Sequence, residues 1–525
     1  IRTLKRTGPT ISAKSKRREC TSPSFVAYTL TDILYLSDAL ALNMGGDSWQ
    51  RSQIASAYAA AAQLGTNFKL FISFDFTAMG CDLNDIVGRV NQFASHPNQF
   101  RVDGRPMISS FSGDCLGNSG WASLKAQTNA YLMPFIWGLE GRFNEWPSLD
   151  TWYCWGCAWP NGNQDKSTDD DEYYLSQLGS RYGTTVSPWM YTHYNYKNWY
   201  QRGDNWLFIR RWEQLMAMRD RLTFVELVSW NDYGESHYLG PIKGAQPDGT
   251  TWTAGFPHTA WYDLSQYYIT AFKTGSYPAI TQDVIYYWAR PHPAAAQASN
   301  DGLGRPQGWD WTPDTLWAVV FATAPSTVTL TCGSSSQTFT NVQKGVTKLQ
   351  IPLAPGKITV KMERNGGVVA QQTPSDFTYI TNPVKYNYNV YVGAAKGSEL
   401  PAPVTTTSAT PTTTSPVATL TPSTISGWTD AGCFVDSDNR FLRDSYISQT
   451  NMTPERCIAR CVSQGSKYAA TEYGSECFCG SQLYREGNTG QSAPGECKMA
   501  CSGNAAQKCG DGWRLNLYVK PGAPF

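Results

Sequence analysis

The chain reads as an α/β protein, a (β/α)8 TIM-like barrel followed by a β-sandwich and then a small disulfide-rich module. Three observations predict this. Apolar strand patterns alternate with helical spacing over about 250 residues, as a parallel β/α barrel requires. After residue 285 the texture turns to short β-rich runs separated by Gly and Pro turns. Finally, eight of the 14 cysteines fall between Cys433 and Cys509. With 525 residues, the chain is too long for one core, so several domains are expected.

The barrel is assigned to residues 25–285. Residues 37–44 form a short apolar strand, and the next helix takes Asp47 or Ser48 as its cap. That helix sets Ile54, Tyr58 and Ala61 on one face and ends at Gly65. Residues 68–75 are a second strand. The following helix carries Ile86, Val90 and Phe93 at i, i+4, i+7 and stops before Pro97. Further strands are predicted at 105–112, 131–139, 151–158, 184–191 and 223–230, with helical spacing at 206–218. An eighth strand belongs before Ser37. Between Phe25-Val26-Ala27-Tyr28 and Ser37 only eight residues remain, fewer than the roughly 10–12 of a parallel crossover. Residues 1–24 are read as an irregular basic N-terminus, with a basic run from Lys14 to Arg18.

The β-sandwich is assigned to 286–396, with strands at 317–323, 326–331, 347–351 and 357–363, and a Cys332 without an evident partner. Residues 397–426 form a linker. From 401 to 426 about half the residues are Ser or Thr and five are Pro, the composition of an extended, O-glycosylated stalk. The module at 427–521 holds the cysteine cluster. So many cysteines in so short a stretch indicate disulfides and an oxidising compartment, hence secretion. Zinc fits poorly, because Cys477-Phe478-Cys479 is a weak ligand spacing with no His nearby. Cys154 and Cys157 form a local disulfide or two separate pairings, and Cys81 and Cys115, both after barrel strands, can bridge two loops.

Charge is balanced, 43 basic against 42 acidic residues, which argues against a nucleic-acid or membrane-surface partner and for a neutral substrate. Twenty Trp and 29 Tyr exceed what packing needs and suit stacking on sugar rings. The longest apolar run, 130–139, is broken by Pro134 and is far short of the ~18–20 residues of a membrane span. The chain starts at Ile1 and is read as a fragment or processed form. It is expected to act as an extracellular, cell-wall-associated monomer without a cofactor or metal.

Barrel chemistry sits at the C-terminal ends of strands. Polar residues there are Asn43, Asp75, His193 and the segment Trp230-Asn231-Asp232-Tyr233-Gly234-Glu235-Ser236-His237. Glycoside hydrolysis needs one carboxylic acid and one carboxylate, and Asp232 and Glu235 supply both from one loop. The plainer reading, that acidic residues are common in loops and caps, loses weight at a strand end flanked by Trp230 and His237. Asn43, Asp75, Asp150, Trp152, His193, Trp230, Asn231 and His237 are the candidate substrate-binding residues. Asp75 competes with a role as a loop cap. His193 is equally well read as a satisfied polar core residue. Asp150, Trp152, Trp155 and Trp159 are expected around one strand end as a stacking wall. Glu226, roughly 20 Å down an extended strand, is read as a buried structural carboxylate.

Phe224-Val225-Glu226 and Ser229-Trp230-Asn231-Asp232-Tyr233-Gly234-Glu235-Ser236-His237-Tyr238 resemble the signature of the fungal α-1,3-glucanases (mutanases), glycoside hydrolase family 71. Ala39-Leu40-Ala41-Leu42-Asn43, Phe71-Ile72-Ser73-Phe74-Asp75, Val186-Ser187-Pro188-Trp189, Thr192-His193, Lys197-Asn198-Trp199 and Arg211-Trp212-Glu213-Gln214 extend the likeness over about 38–392. The resemblance implies a barrel plus β-sandwich. It also implies hydrolysis of α-1,3-glucosidic bonds of cell-wall α-1,3-glucan with inversion, and places the acid/base pair on Asp232 and Glu235; Glu235 is read as general acid and Asp232 as base, the reverse order staying open. One departure stands out. The family opens with a strand holding a His-Phe-Met segment, absent from residues 1–36. This motivates the alternative expectation of a non-catalytic wall-polysaccharide-binding protein with a defective barrel.

Gly432-Cys433-Phe434, Met452 to Cys457, Cys461, Glu472 to Gly480, Cys497, Cys501 and Cys509-Gly510 resemble a WSC domain. That resemblance implies four disulfides and polysaccharide binding, with α-glucan, β-glucan and chitin open as ligands. Tyr468, Tyr473 and Phe478 are ring-stacking candidates or core. Asn451-Met452-Thr453 is the only N-glycosylation sequon.

Overall fold

The computed structural model describes residues 38–399 except 66–67 and 244–245. It also describes 424–523 except 426–427, 438–439, 485–488, 491–492, 494 and 521–522. The basic N-terminus, the segment 25–28 and most of the linker lie outside the described residues. The chain divides into two compact units, 1–404 and 405–525.

In the first unit, β1 (Ala39–Met44), α1 (Ser48–Leu64), β2 (Lys69–Asp75), α2 (Leu83–Phe93), β3 (Arg105–Phe111), α3 (Gly117–Thr128) and β4 (Tyr131–Phe135) follow in order. Their four strands pair in parallel, β1 on β2 on β3 on β4. The helix patterns hold residue by residue. Asp47 is the α1 N-cap, Ile54, Tyr58 and Ala61 are buried, and Gly65 takes the left-handed turn (φ 62°) that ends the helix. Ile86, Val90 and Phe93 form the buried face of α2, whose cap Asp82 accepts from the N–H groups of Asn84 and Asp85.

A second parallel sheet joins β5 (Trp152–Tyr153), β6 (Tyr182–Val186) and β9 (Phe224–Leu227), with α4 (Asp169–Leu178) ahead of β6 and α5 (Leu207–Ala217) ahead of β9. The two sheets meet where the N–H groups of Asp150 and Thr151 donate to the Leu132 carbonyl, at 3.1 and 3.0 Å. Seven parallel strands are thus present, and among the described residues the ring is not closed. The two flanking strands show it. Every β9 residue is half-buried, as are the first four of β1, whereas β4 and β6 are buried throughout.

Four strands are shorter than predicted. The 131–139 run ends at Phe135, before a turn at Gly138 (φ 74°). In 151–158 only two residues are strand, and a 3-10 turn at Trp155–Ala158 follows, closed by the Cys154–Cys157 disulfide. The 184–191 run stops at Val186, ahead of Pro188, which has no N–H for a ladder. The chain then forms an antiparallel hairpin, β7 (Met190–Tyr194) and β8 (Lys197–Gln201). The last run, 223–230, ends at Leu227 because Ser229 turns its N–H to the His237 carbonyl, at 3.0 Å.

Asp171 and Arg211 brace α4, α5 and β6. Both side chains are wholly buried and paired through two nitrogens, at 2.5 and 2.8 Å. The Thr184 hydroxyl donates to Asp171 and accepts from Arg211.

After α6 (Thr259–Thr274) come β10 (Gln282–Ala289), β11 (Thr315–Ala322), β12 (Ser326–Cys332), β13 (Ser335–Val342), β14 (Gly345–Pro352), β15 (Ile358–Arg364), β16 (Gly367–Gln372) and β17 (Tyr391–Glu399). They build two four-stranded antiparallel sheets, β14-β11-β10-β17 and β13-β12-β15-β16. Side chains from both, among them Ile285, Val320, Leu330 and Val360, form one buried cluster. Cys332 is buried and unpaired, and its thiol donates to the Ala354 carbonyl at 3.1 Å.

In the second unit, an antiparallel sheet orders β18 (Trp428–Val435), β22 (Arg514–Val519), β20 (Tyr468–Glu472), β21 (Glu476–Gly480) and β19 (Ser445–Ser448). The helix α7 (Pro454–Ser463) starts at Thr453, whose Oγ1 accepts the Arg456 N–H. Disulfides join Cys433 to Cys497, Cys457 to Cys477, Cys461 to Cys479 and Cys501 to Cys509. In the first unit Cys81 joins Cys115. Among the described residues no helix is long and apolar enough to cross a membrane.

Candidate active site

The loop after β9 closes on itself. The Ser229 N–H donates to the His237 carbonyl, the Leu239 N–H to the Ser229 carbonyl and the Gly240 N–H to Trp230, at 3.0, 3.0 and 2.8 Å. Residues 230–236 are therefore a compact excursion from a short antiparallel ladder. Inside it the Glu235 N–H donates to Oδ1 of Asp232 at 2.9 Å, which sets the two acidic side chains beside one another. Gly234 lies between them. A Cβ there would stand 2.9 Å from the Tyr194 hydroxyl, so only glycine lets the β7–β8 hairpin approach this closely.

His237 joins the pair. Its Nε2 lies 3.0 Å from Oε2 of Glu235 and 3.6 Å from Oδ2 of Asp232, and its Nδ1 lies 2.8 Å from the Ser229 hydroxyl. The ring is 1% exposed, flanked by Trp155 and Trp159 with centroids at 6.1 and 5.7 Å. Burial lowers its pKa, partly opposed by Asp232 and reinforced by Lys197, so the imidazole is neutral at neutral pH.

From the hairpin, Nζ of Lys197 pairs with Oε1 of Glu235. Burial lowers the Lys197 pKa against the pull of Asp232. The carboxylates differ in access, the Asp232 side chain being 43% exposed and that of Glu235 15%. One oxygen from each and a His237 nitrogen lie within 4.8 Å of one another. A cation could be held at that spacing, but the Lys197 ammonium already supplies positive charge to Glu235. The two carboxylates are closer than the ~6.5–9.5 Å typical of inverting pairs.

The other candidates separate. Asp75 closes β2, and its Oδ1 accepts from the N–H and hydroxyl of Thr77 at 3.0 and 2.6 Å, as a loop cap does. Burial raises the pKa of Tyr153, and the charges of Glu226 and then Asp75 raise it further. Asn43 is the penultimate residue of β1 and is exposed, as is Asn231 in the loop. Trp230 packs edge-on against Tyr262 of α6 at 5.6 Å.

Three expectations are corrected. Asp150 precedes β5, at the N-terminal end of the strands, where Oδ1 binds Arg105 and Lys125 at 2.8 Å and Oδ2 accepts the Leu132 N–H at 2.9 Å. It locks the N-terminal ends of the parallel strands together and cannot join a wall at their C-terminal ends. Trp152 is 1% exposed and donates its indole N–H to the Ile136 carbonyl, a core position. The ring nitrogens of His193 are taken by Asn198 and Asp301, both at 2.8 Å, so none is left for a sugar. Glu226 lies within β9 opposite Thr185; its Oε2 is shut from solvent without a hydrogen-bond partner, and burial raises its pKa to about 7.

The residue reading passed over Ser229 and Lys197 as site members and missed Tyr196, which is 77% exposed at the hairpin tip and stacked on Tyr194 at 5.1 Å. The signal was the alternation on both sides of Asn195-Tyr196, which reads as a two-residue hairpin. In the small unit Tyr468 and Phe478 are core, whereas Tyr473 and Trp513 are 59% and 46% exposed. A Cβ on Gly512 would touch the Tyr473 ring at 3.8 Å, which places Tyr473 against the backbone next to Trp513. The Arg440 guanidinium lies over the rings of both Trp513 and Phe478 at 4.7 Å.

A family model described as "Glycosyl hydrolase family 71" matches residues 35–406, and one for the WSC domain matches 431–511. The chain is 40% identical over 376 residues to the glucan endo-1,3-alpha-glucosidase agn1 of Schizosaccharomyces pombe, covering 68% of this chain and 87% of that protein. It is 34% identical over 378 residues to a mutanase of Penicillium rubens, covering 69% and 82%. A WSC domain-containing protein of Arthroderma benhamiae is 40% identical over 121 residues, 23% of this chain and 13% of its own length.

Proposed function

The chain belongs to glycosyl hydrolase family 71, and from that premise we propose that it is an endo-acting hydrolase of the α-1,3-glucosidic bonds in fungal cell-wall α-1,3-glucan. The observation that carries this reading is the loop after β9. It brings Asp232 and Glu235 together, with His237 within reach of both. Two carboxyl groups in one place, one sheltered and one open, are what acid–base cleavage of a glycoside needs.

Glu235, the less exposed carboxyl, is the general acid that protonates the leaving oxygen. Asp232 reaches solvent and is the base that activates water. Lys197 pairs with Oε1 of Glu235 in the free protein, and that contact is released as the sugar enters. Inversion needs room for a water between the carboxylates. Asp232 gains it by turning outward, its carboxylate being held by one backbone N–H, that of Glu235, and approached by His237 at 3.6 Å.

The parallel strands are proposed to belong to a closed (β/α)8 barrel; the half-buried β1 and β9 support this. The WSC domain is proposed to hold the enzyme on wall polysaccharide, with Trp513 and Tyr473 as stacking surfaces. Tethering then raises the concentration of insoluble substrate around the barrel. The disulfides support an extracellular location. NMR of the first product tests the mechanism. Inversion of an α-linkage releases the β-anomer, and initial release of the α-anomer contradicts it.

A further inference from the structure

Ser229 and His237 have no assigned task in the reaction, yet their hydrogen bonds end on Glu235. The Ser229 hydroxyl oxygen lies 3.0 Å from the Asp232 N–H, which donates to it, and 2.8 Å from Nδ1 of His237. On the far side of the ring, Nε2 is 3.0 Å from Oε2 of Glu235. A neutral imidazole carries one proton, so its position decides the polarity of the whole chain. With the proton on Nε2, every contact is satisfied. Asp232 N–H donates to Ser229, Ser229 O–H donates to Nδ1, and Nε2–H donates to Glu235. With the proton on Nδ1, the bare lone pair of Nε2 would face an oxygen of ionised Glu235 across a buried contact, which is repulsive, and would draw the proton of the protonated acid away from the leaving group.

We propose that Ser229 and His237 are positioning residues for Glu235: Ser229 locks His237 in its Nε2–H tautomer, and that N–H engages Oε2, leaving Oε1 as the oxygen that gives its proton to the leaving sugar. The inference rests on the general-acid reading of Glu235 above. In the step itself the Oε1–H bond breaks as the new O–H bond forms on the departing glucosyl oxygen. The C–O bond electrons pass to that oxygen, and Glu235 is left ionised with Nε2–H still donating to Oε2.

The surroundings fit a fixed tautomer. Trp155 and Trp159 wall the ring from the strand β5 side. The charged and titratable groups facing the cluster are Asp232 from the same loop, Lys197 and Tyr194 from the hairpin, and His258 from the entry to α6. His258 is itself neutral, because burial brings its pKa down to about 4. Lys197 contacts Oε1, the oxygen His237 leaves free. In the free protein each Glu235 oxygen has its own donor, and Oε1 takes up the acidic proton once the entering sugar displaces Lys197.

The test compares two substrates in the full chain. α-1,3-Gluco-oligosaccharides need protonation of the leaving group, and α-1,3-glucotriosyl fluoride does not. Ser229→Ala is expected to lower kcat/KM on the oligosaccharide about tenfold, the usual effect of a lost buried hydrogen bond. It should leave the fluoride rate within twofold. The alkaline limb of its pH profile should move up, since ionised Glu235 loses a well-aligned donor. Ser229→Thr should restore both. His237→Gln keeps a donor near the Nε2 position and should retain more oligosaccharide activity than His237→Asn, which reaches only the Nδ1 position.

Equal losses on both substrates, an unmoved alkaline limb, or Asn outperforming Gln would overturn the proposal. The histidine pair keeps the test decisive if Ser229→Ala does not fold. If instead Glu235→Gln cleaves the oligosaccharide as well as the parent does, the general-acid reading itself falls. In that case Ser229 and His237 are not where the failure lies.

Discussion

Oε2 of Glu235 lies 3.0 Å from Nε2 of His237, a ring that is 1% exposed and whose other nitrogen reaches Ser229. This contact turns a loop with two acidic residues into a defined site. It fixes one carboxyl among donors and leaves the other, Asp232, open to water. The ladder that sets Ser229 opposite His237 is also what ends β9 early. Fold and site therefore share the same backbone hydrogen bonds.

The first prediction concerns Glu226. Burial raises its pKa from the ordinary carboxyl range to about 7. A carboxyl whose folded pKa is raised contributes fully below its unfolded pKa, and that contribution is lost as pH rises through the folded value. Chemical denaturation should show the chain losing at most about 3 kcal/mol between roughly pH 4.5 and 8 from this group. Glu226→Gln should flatten that part of the profile. An unchanged profile would show that Glu226 is not the buried group it looks to be.

The second concerns the Asp171–Arg211 pair. Both side chains are wholly buried, so removing one leaves the other charge without a partner. Asp171→Ala is expected to cost about 3–5 kcal/mol in denaturant titration. A loss below about 1 kcal/mol would mean that the network relaxes around the gap.

The third concerns the small unit. Trp513→Ala and Tyr473→Ala should each weaken pull-down on insoluble wall polysaccharide by about tenfold, through loss of stacking area. Near-UV circular dichroism should stay that of an intact disulfide core. Undiminished pull-down would place the polysaccharide elsewhere on the unit. Parallel titration on α-glucan, β-glucan and chitin identifies the ligand.

Much of this was legible in the sequence, for local reasons. The helix faces of α1 and α2 and the cap at Gly65 follow from spacing and turn chemistry and were found at the right residues. Glu226 is half-buried with its Oε2 shut from solvent, though not for the distance argument used for it, since the strand ends one residue later at Leu227. What failed was direction and extent. Asp150 looked like a strand-end residue, but a two-residue β5 put it at the wrong end, where Arg105 and Lys125 hold it. His193 looked available until Asp301, 108 residues away, was seen to occupy it. Lys197 came within the loop's reach only because the chain doubles back at Asn195-Tyr196, a hairpin that lies just beyond the predicted 184–191 strand.

The most direct test of the account is reducing-sugar release from insoluble α-1,3-glucan by the chain and by its Asp232→Ala and Glu235→Ala variants. The account predicts release by the parent, a fall of at least about a hundredfold in each variant, and unchanged retention of all three on the polysaccharide. Undiminished release by either variant would contradict the site assignment, and release from β-glucan or chitin alone would contradict the substrate.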